Sequence, residues 1–436
     1  MSKRRHPPRP ERRRSTVGSV GSVEVLEVTI ERILPGGVGL AHAEGRTVLV
    51  ALAAPGDRLR VRVESVRGRT TFASIVEVLS SSPSRVEPPC PYFGRCGGCD
   101  FQQLDYRAQL DAKVEMIRDC LRRVARLEPP GEIQITPSPL EWRYRSRARW
   151  QHDPVRNFLG YYERGSHRVC DVVECPVAAP EVESRLTRLR ELMREGSLPS
   201  DAAEFEAVAG DEGVSLAPAV EPGDEREQTR VIAGERYRFD AGCFFQINHA
   251  LLEPLVREAL RDASEETESA GDIVEETAGD GVNETLNYVS GETALDLYAG
   301  VGLFTLPLAR SFSRVVAVEG NAASTAYARR NLSDACLSNA RVETGAVGAW
   351  LTHNAERIGS ADFVLLDPPR AGAEPEAVRG IVALNPRHIS YVSCDPATLA
   401  RDLLSLTTAG YRLASVRAFD MFPQTHHVET VIHLFR

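Results

Sequence analysis

Long apolar runs are missing from the sequence, and so is a charged-then-apolar segment at its amino terminus. The first absence argues against a helix that crosses a bilayer, and the second against a secretory signal. By default we expect a cytoplasmic protein with no membrane partner. Hydrophobic (42%) and charged (26%) residues occur in ordinary proportions for a globular chain, and 436 residues favour two or three domains over a single core.

The sequence also lacks an overall basic charge, since its formal net charge is -9. This total argues at first against a nucleic-acid partner. The charge is uneven, however: basic residues crowd positions 3–14 and alternate along 143–149, whereas much of the acid lies between 262 and 292. Phosphate binding depends on where Lys and Arg cluster, so these local patches matter more than the sum.

Nine cysteines in a chain expected to be intracellular are not predicted to form disulfides. Three of them, Cys90, Cys96 and Cys99, stand close together among glycines. This grouping indicates a metal site, and four thiolates suit either zinc or an iron–sulfur cluster. The residues alone leave Cys170 and Cys175 as alternatives for the fourth ligand.

Composition and periodicity divide the chain into five segments. A basic, proline-rich arm (1–16) is predicted to be disordered, and short β-branched runs between glycine turns predict a small closed β-barrel over 17–80. A mixed α/β region follows over 81–260, and then an acidic, flexible insertion over 261–292. Apolar strands alternate with helices over 293–436, which predicts a doubly wound α/β sheet that binds ligands at the carboxyl ends of its strands.

Motifs at the ends of three predicted strands indicate a nucleoside cofactor. The strand over 294–298 runs into a Gly-x-Gly turn at Gly300, where the backbone can approach a ligand closely. The next strand ends at Glu319, from which a carboxylate can accept hydrogen bonds from ribose hydroxyls. The Asp-x-x-x-Gly-x-Gly spacing favours S-adenosylmethionine over a dinucleotide. Another strand ends in Asp367-Pro-Pro, which puts a second carboxylate at the mouth of the same pocket.

Cys394 also follows a predicted strand, and it precedes a helix that should begin near Pro396. The dipole at a helix entry stabilises a thiolate, so we expect a lowered pKa and a reactive nucleophile. Uridine C5 becomes nucleophilic only after a group adds to C6, and a thiolate is a natural adding group. A base must then remove the C5 proton. Glu429 is the best candidate for this base, His427 is the alternative, and His426 could equally be a surface residue.

Together these motifs resemble the RNA uridine-5-methyltransferase family, specifically its branch with an amino-terminal TRAM domain and a 4Fe–4S cluster. The resemblance runs from about residue 17 to residue 436 and weakens across the acidic insertion. It rests on the stretches GGVGLAH, PGDRLRV, CPYFGRCGGCDFQQLDY, CFFQINHALLEPLV, DLYAGVGLFTLPLA, VEGN, DPPRAG, SCDPATLARDL and HHVETVIHL. The implied fold is a Rossmann-like methyltransferase domain, an OB-like TRAM barrel and a mixed α/β middle domain that carries the iron–sulfur site.

The family implies a role for each matched residue. Cys394 matches the nucleophile, and Glu429 matches the base. The pocket for the cofactor and the target base is matched by Gln246, Tyr298, Gly300, Glu319 and Asp367. The ligands of the 4Fe–4S cluster are matched by Cys90, Cys96, Cys99 and Cys175. Cys170 is thereby a bystander, and a cluster capped by four thiolates implies a structural or RNA-positioning role.

The implied partner is RNA, from which the target uridine must flip out of its stack. The cluster-bearing branch leans towards 23S ribosomal RNA over transfer RNA. No protein partner is implied, and we expect a monomer.

Three alternatives remain. An RNA cytosine-5-methyltransferase would carry a second cysteine where Arg370 stands, and a radical methylthiotransferase would space its cysteines differently. The third, a catalytically silent RNA-binding protein, is disfavoured by the intact Cys394 and Glu429.

Overall fold

The computed structural model describes residues 24–199, 201–263 and 288–436. The basic arm predicted at 1–16 and most of the insertion predicted at 261–292 therefore lie outside the described residues. Within the described ranges, no helix is both long enough and apolar enough to pass through a membrane.

Six short strands form the amino-terminal module. They are β1 (Val25–Thr29), β2 (Arg32–Leu34), β3 (Val38–Ala43), β4 (Arg46–Ala51), β5 (Arg58–Arg67) and β6 (Thr70–Ser80). They pair in the order β1-β5-β6-β4-β3-β2. Alternate side chains of β1 and the first half of β5 are buried, as expected for strands with one face on a core.

A helix and a short strand connect this module to the rest of the chain. Helix α1 (Tyr106–Cys120) begins after Asp105, whose carboxylate accepts a hydrogen bond from the Ala108 N–H. It continues as one π-helical turn over Leu121–Ala125. Strand β7 (Gln134–Thr136) follows and pairs in parallel with a strand near the carboxyl terminus. The region predicted over 81–260 therefore contributes a strand to the carboxyl-terminal sheet.

An antiparallel sheet with one helix against it makes up the middle of the chain. Its elements are β8 (Arg147–Asp153), β9 (Phe158–Tyr162), β10 (Val169–Asp171), α2 (Pro180–Arg194), β11 (Glu204–Ala209) and β12 (Val214–Ala217). The strand order is β10-β9-β8-β11-β12. Leu186 and Leu189 of α2 share a buried core with Trp150 and Phe205, and Cys175 packs against that core.

The middle region continues into a hairpin over residues 228–239. Its strands are β13 (Gln228–Ile232) and β14 (Glu235–Phe239), and they pair with each other. Ala233 and Gly234 turn the chain with φ values of 49° and 83°. Positive φ at both central residues is typical of the tightest hairpin turns, which are short enough to hide within an alternating sequence pattern. A 3-10 turn (His249–Leu251) then leads into α3 (Leu252–Ala259).

The carboxyl-terminal region is an eight-stranded sheet between helices. Its elements are β15 (Gly291–Leu297), α4 (Thr305–Ser311), β16 (Phe312–Glu319), α5 (Ala322–Asp334), β17 (Ala340–Thr344), α6 (Val347–Ile358), β18 (Phe363–Leu366), α7 (Pro375–Leu384), β19 (His388–Ser393), α8 (Pro396–Thr408), β20 (Arg412–Phe419) and β21 (Glu429–Phe435). The order is β17-β16-β15-β18-β19-β21-β20-β7. The first five strands run parallel, and β21 is antiparallel to both of its neighbours.

Two large apolar cores cover the two faces of this sheet. One contains Leu365 and Phe304, and the other contains Leu366 and Leu399. Burial on both faces explains why the central strands are continuous apolar runs in the sequence. The arrangement leaves the carboxyl ends of the parallel strands as the edge where polar side chains collect.

Candidate active site

Cys394 and Glu429 lie side by side at the end of β19. Strands β19 and β21 are antiparallel, and Ser393 is paired with Thr430. When this antiparallel register is continued by one residue past the end of β19, Cys394 stands opposite Glu429. Cys394 is half-buried, whereas Glu429 is only 2% exposed. The fold thus brings the predicted nucleophile and the predicted base together, although 35 positions of sequence separate them.

The prediction of a lowered thiol pKa is wrong for the protein without substrates. Burial, followed by the carboxylates of Glu429 and Asp367, raises the pKa of Cys394 to about 12. Helix α8 does begin at Pro396, but its first turn uses the Asp395 side chain as cap, with hydrogen bonds from two backbone N–H groups. Helix entry alone therefore does not decide the charge of the thiol, and its proton must leave before the sulfur can attack.

Glu429 is a buried carboxyl group with few polar contacts. Burial and the neighbouring Asp367 raise its pKa well above the ordinary value. Its Oε1 has no hydrogen-bond partner among the described residues. The alternative base, His427, has a pKa lowered to about 3 by burial and by the nearby His426 and Arg370. A raised pKa makes a carboxylate a stronger base and a lowered pKa makes an imidazole a weaker one, so this environment favours Glu429.

Arg370 is a site residue for which the sequence motifs predicted no functional role. Its positive charge lowers the pKa of both Cys394 and Glu429, and so opposes the effect of burial on these two groups. It follows directly on Asp367-Pro-Pro, and its carbonyl accepts a hydrogen bond of 3.1 Å from Thr398 Oγ1 on α8. An arginine immediately after a motif at a strand end was the signal available in the sequence.

The turn after β15 has the conformation that a closely bound ligand requires. Tyr298 and Gly300 both have positive φ, 65° and 56°, and the space beside Gly300 where a Cβ would stand is open. The Gly300 N–H donates to Glu319 Oε2 at 3.0 Å, and Asn321 N–H donates to Glu319 Oε1 at 2.6 Å. The Tyr298 hydroxyl donates to Glu374. Glu319 therefore bridges the ends of the first two strands and keeps further lone pairs for ribose hydroxyls.

Gln246 and Asp367 meet across the same edge. Gln246 Nε2 donates to Asp367 Oδ2 at 3.4 Å. The pKa of Asp367 is raised to about 7, mainly because the group is buried and in addition because Asp296 is close to it. Burial also raises the pKa of Asp296 to about 7, although a hydrogen bond from Thr305 opposes it. Carboxyl groups crowded in this way are stabilised by a cation placed among them.

The four cysteines matched to cluster ligands line one small cavity: Cys90, Cys96, Cys99 and Cys175. Burial raises the pKa of Cys96 to about 11 and that of Cys99 to about 12. Cys170 does not line this cavity; it is 1% exposed, and Arg95 Nε donates to its sulfur at 3.2 Å. Among the described residues, no three His, Cys, Asp or Glu side chains converge as a single metal ion would require.

Arginines of the barrel are largely paired with acids. Arginines alternate along β5, a spacing that would suit contact with an RNA backbone. In the structure Arg58 and Arg60 contact Glu27, and Arg62 contacts Glu64 at 2.8 Å. Exposed pairs of this kind are weak, so these arginines can exchange a carboxylate partner for a phosphate.

A second group of arginines borders a groove of about 700 Å³ beside the cysteine cavity. The groove is lined by two arginines and two exposed rings, Arg149, Arg164, Tyr162 and His167. The ring centroids of Tyr162 and His167 are 5.3 Å apart. In RNA-binding proteins, unstacked bases stack on exposed aromatic rings and on the guanidinium groups of arginines.

Comparison with known proteins places these features in one family. Residues 281–436 match the family model described as tRNA (Uracil-5-)-methyltransferase, and residues 19–76 match the TRAM domain. The 23S rRNA (uracil(1939)-C(5))-methyltransferase RlmD of Alkalilimnicola ehrlichii is 33% identical over 94% of this chain and 96% of its own length. The enzyme of the same name from Pseudomonas fluorescens is 35% identical, over 93% and 90% respectively.

A solved structure is similar over most of the chain. It is the Pyrococcus abyssi tRNA (uracil-54, C5)-methyltransferase in complex with S-adenosyl-L-homocysteine. It is 26% identical, with a TM-score of 0.67, and the match covers 93% of this chain and all of that one. The α/β fold class with an amino-terminal TRAM module is confirmed. The chain belongs to the RNA uracil-C5-methyltransferase family.

Proposed function

We propose that this protein transfers a methyl group from S-adenosylmethionine to C5 of a uridine in 23S ribosomal RNA. The observation that carries the proposal is the β19–β21 register, which sets a half-buried thiol against a buried carboxyl group at the strand ends where Glu319 and Asp367 also stand. This pair supplies both groups that C5 methylation needs, a nucleophile for C6 and a base for the C5 proton.

The reaction starts with a bond between the protein and the base. The Cys394 thiol first loses its proton to solvent, and the thiolate released at the end of the cycle takes a proton back. The thiolate attacks C6, and the C5=C6 electron pair moves onto the uracil ring as an enolate. C5 then attacks the methyl carbon of S-adenosylmethionine, whose S–CH3 bond breaks to leave neutral S-adenosylhomocysteine. Arg370 stabilises the anionic states of the Cys394 sulfur and of the Glu429 carboxylate, as its lowering of both pKa values indicates.

The second half of the reaction restores the protein. Glu429 takes the C5 proton, the C5–H electrons rebuild the C5=C6 bond, and the C6–S bond breaks. The Cys394 thiolate leaves, and the proton on Glu429 passes to solvent. One proton is released for each methyl group transferred, which balances the loss of the sulfonium charge.

The pocket fits S-adenosylmethionine on two counts. Glu319 stands at the end of the second strand, where ribose hydroxyls are bound in nucleotide-binding sheets. Asp296 and Asp367 are acids that burial leaves hard to ionise, and a sulfonium cation near them would offset that cost. Gln246, Tyr298 and Gly300 complete the pocket, with Gln246 joined to Asp367.

We also propose that Cys90, Cys96, Cys99 and Cys175 hold a 4Fe–4S cluster. The donor set fits, because four sulfur ligands border one cavity and burial disfavours free thiolates there. In such a cluster each thiolate binds a different iron, so the sulfur atoms need not converge on one point. A bound cluster would tie the loop over residues 90–99 to the segment around Cys175, which is a structural contribution.

Cluster loading gives the first prediction. Anaerobically purified protein should carry about four iron atoms per chain and absorb broadly in the visible range. Cys175→Ala should lose most of this iron, because the cavity loses a ligand. Cys170→Ala should retain it, because Cys170 lies outside the cavity. A colourless protein that holds zinc, or iron lost from Cys170→Ala and kept by Cys175→Ala, would overturn the assignment.

The choice of RNA follows from the relatives. Two of them, at 33% and 35% identity, are named for uracil 1939 of 23S ribosomal RNA, whereas the similar solved structure acts on uracil 54 of transfer RNA at 26% identity. The higher identities favour ribosomal RNA. A transfer-RNA substrate is the competing candidate, and one experiment separates the two.

The second prediction concerns that experiment. Purified protein is incubated with methyl-labelled S-adenosylmethionine and either 23S ribosomal RNA or transfer RNA, each free of 5-methyluridine, and the nucleosides are analysed. We expect 5-methyluridine in the ribosomal RNA alone. Label in transfer RNA would reassign the substrate, and label in cytidine would refute the reaction. No label in either RNA, with S-adenosylmethionine still bound, would indicate a binding protein.

A further inference from the structure

The segment between β20 and β21 leads directly into Glu429 and is held from outside the catalytic sheet. Its middle is fixed by the cysteine-rich loop and by α1. The N–H groups of Asp100 and Phe101 donate to the Gln424 carbonyl at 3.1 and 3.0 Å. The side-chain amides of Gln109 and Gln424 contact one another at 3.0 Å, and Gln424 N–H donates to Gln109 Oε1 at 2.9 Å.

The start of the segment is fixed by buried polar groups. Lys113, one of only two lysines in the chain, pairs with Asp420, and both side chains are fully buried. The Lys113 ammonium also donates to the Phe422 carbonyl at 3.1 Å. The Tyr144 hydroxyl donates to the Pro423 carbonyl at 2.8 Å. Residues 420–424 are therefore held by contacts that are costly to break.

The end of the segment depends on one carboxylate. Asp100 Oδ1 accepts a hydrogen bond of 2.8 Å from His426 N–H, and Asp100 Oδ2 lies 2.5 Å from His426 Nδ1. The rings of His426 and His427 lie 4.1 Å apart. On the other side the barrel approaches so closely that a Cβ at Gly37 would stand 2.8 Å from the His426 Cβ. His426 is thus a packed residue, contrary to the surface position that the sequence had left open.

We propose that Asp100 is a positioning residue, which acts through His426 to hold Glu429 against the C5 proton of the Cys394 adduct. The inference rests on the proposed function, because it presupposes that adduct and its base. Glu429 Oε1 has no hydrogen-bond partner among the described residues. The location of this oxygen therefore depends on the backbone that carries it, and His426 lies only three residues before Glu429. Asp100 fixes that backbone.

The test is the third prediction, the replacement Asp100→Ala. Proton removal from C5 should slow while the earlier addition and methyl transfer continue, so methylated RNA bound covalently to protein should accumulate. We expect kcat to fall about 10- to 100-fold, the range for a misplaced catalytic group, with KM for RNA changed by less than about threefold. The adduct is measured on denaturing gels with methyl-labelled S-adenosylmethionine.

Three further variants separate positioning from a general structural role. Asp100→Asn should recover most of the activity, because an amide can keep both contacts with His426. His426→Ala should show a smaller loss than Asp100→Ala, because it removes the ring contact and keeps the hydrogen bond from the backbone N–H to Asp100. The double variant should be no worse than Asp100→Ala alone, because both changes act on the same pair of contacts. Glu115→Ala, which removes an exposed carboxylate from α1, should match the unchanged protein.

Each outcome bears on the proposal. Unchanged kcat in Asp100→Ala, or a loss of activity without adduct, would overturn it. A loss of iron or of S-adenosylmethionine binding in step with the loss of activity would also overturn it in favour of a structural role. If Asp100→Ala does not fold, His426→Ala provides the same adduct measurement. Absence of 5-methyluridine with the unchanged protein would instead refute the proposed function.

Discussion

Glu429→Gln is expected to trap the protein on its RNA, as a methylated covalent complex that survives denaturation. Glutamine has nearly the same shape as glutamate but cannot take the C5 proton, so the C6–S bond to Cys394 has no route to break. Turnover should fall by about 10²- to 10⁴-fold, the contribution typical of a general base. Denaturing gels with labelled RNA and methyl-labelled S-adenosylmethionine should show both labels in one band.

The matched control for this substitution is Glu253→Gln, an exposed carboxylate of α3 that pairs with Arg257. It should turn over normally and form no stable band. If Glu429→Gln turned over within twofold of the unchanged protein, Glu429 would not be the base. Accumulation of adduct in His427→Ala under the same conditions would then assign the role to His427.

Cys394→Ala is expected to abolish methyl transfer altogether. Without the thiolate nothing adds to C6, C5 stays unreactive, and neither adduct nor 5-methyluridine should form. The loss should be at least about 10⁴-fold, as for removal of a covalent nucleophile in other enzymes. S-adenosylmethionine should still bind, because its proposed contacts lie on the turn after β15, on Glu319 and on Asp367. Both quantities can be followed, by labelled methyl transfer and by calorimetric titration.

Two comparisons complete this experiment. Cys336→Ala removes an exposed thiol and should leave activity unchanged. The double variant Cys394→Ala/Glu429→Gln should show no covalent band, because the trapped complex needs the sulfur. Normal 5-methyluridine formation by Cys394→Ala would end the covalent mechanism, and a band in the double variant would show that another residue attacks the RNA.

Motifs at strand ends predicted much of this site from sequence alone. The Gly-x-Gly turn, Glu319 and Asp367 follow three parallel strands, and the carboxyl ends of parallel strands meet at one edge. That rule does not cover Glu429, which begins an antiparallel strand at the other side of β19. The family resemblance had matched Glu429 to the base, but its position next to Cys394 follows only from the strand order in the structure.

Other features had no local signal. Asp100 and His426 are separated by 326 positions, and nothing in either neighbourhood predicts their contact. The pKa of Cys394 was predicted with the wrong sign because helix entry can be seen in sequence, whereas burial and the approach of Glu429 and Asp367 depend on packing. The hairpin at 228–239 has no clear signal in the sequence, because its two-residue turn preserves the alternation of a single strand.

Strand β7 has a consequence for the order in which this protein can fold. It lies at the edge of the catalytic sheet and pairs with β20, and the side chains of Gln134 and Arg417 that join them are 283 positions apart. During synthesis from the amino terminus, β7 leaves the ribosome long before its partner exists. Pairings so distant in sequence form slowly, and until this one forms β20 presents an open edge to other chains. Completion of the sheet therefore depends on a pairing between two segments far apart in the chain, and the catalytic half cannot complete its sheet without the strand that precedes the middle sheet.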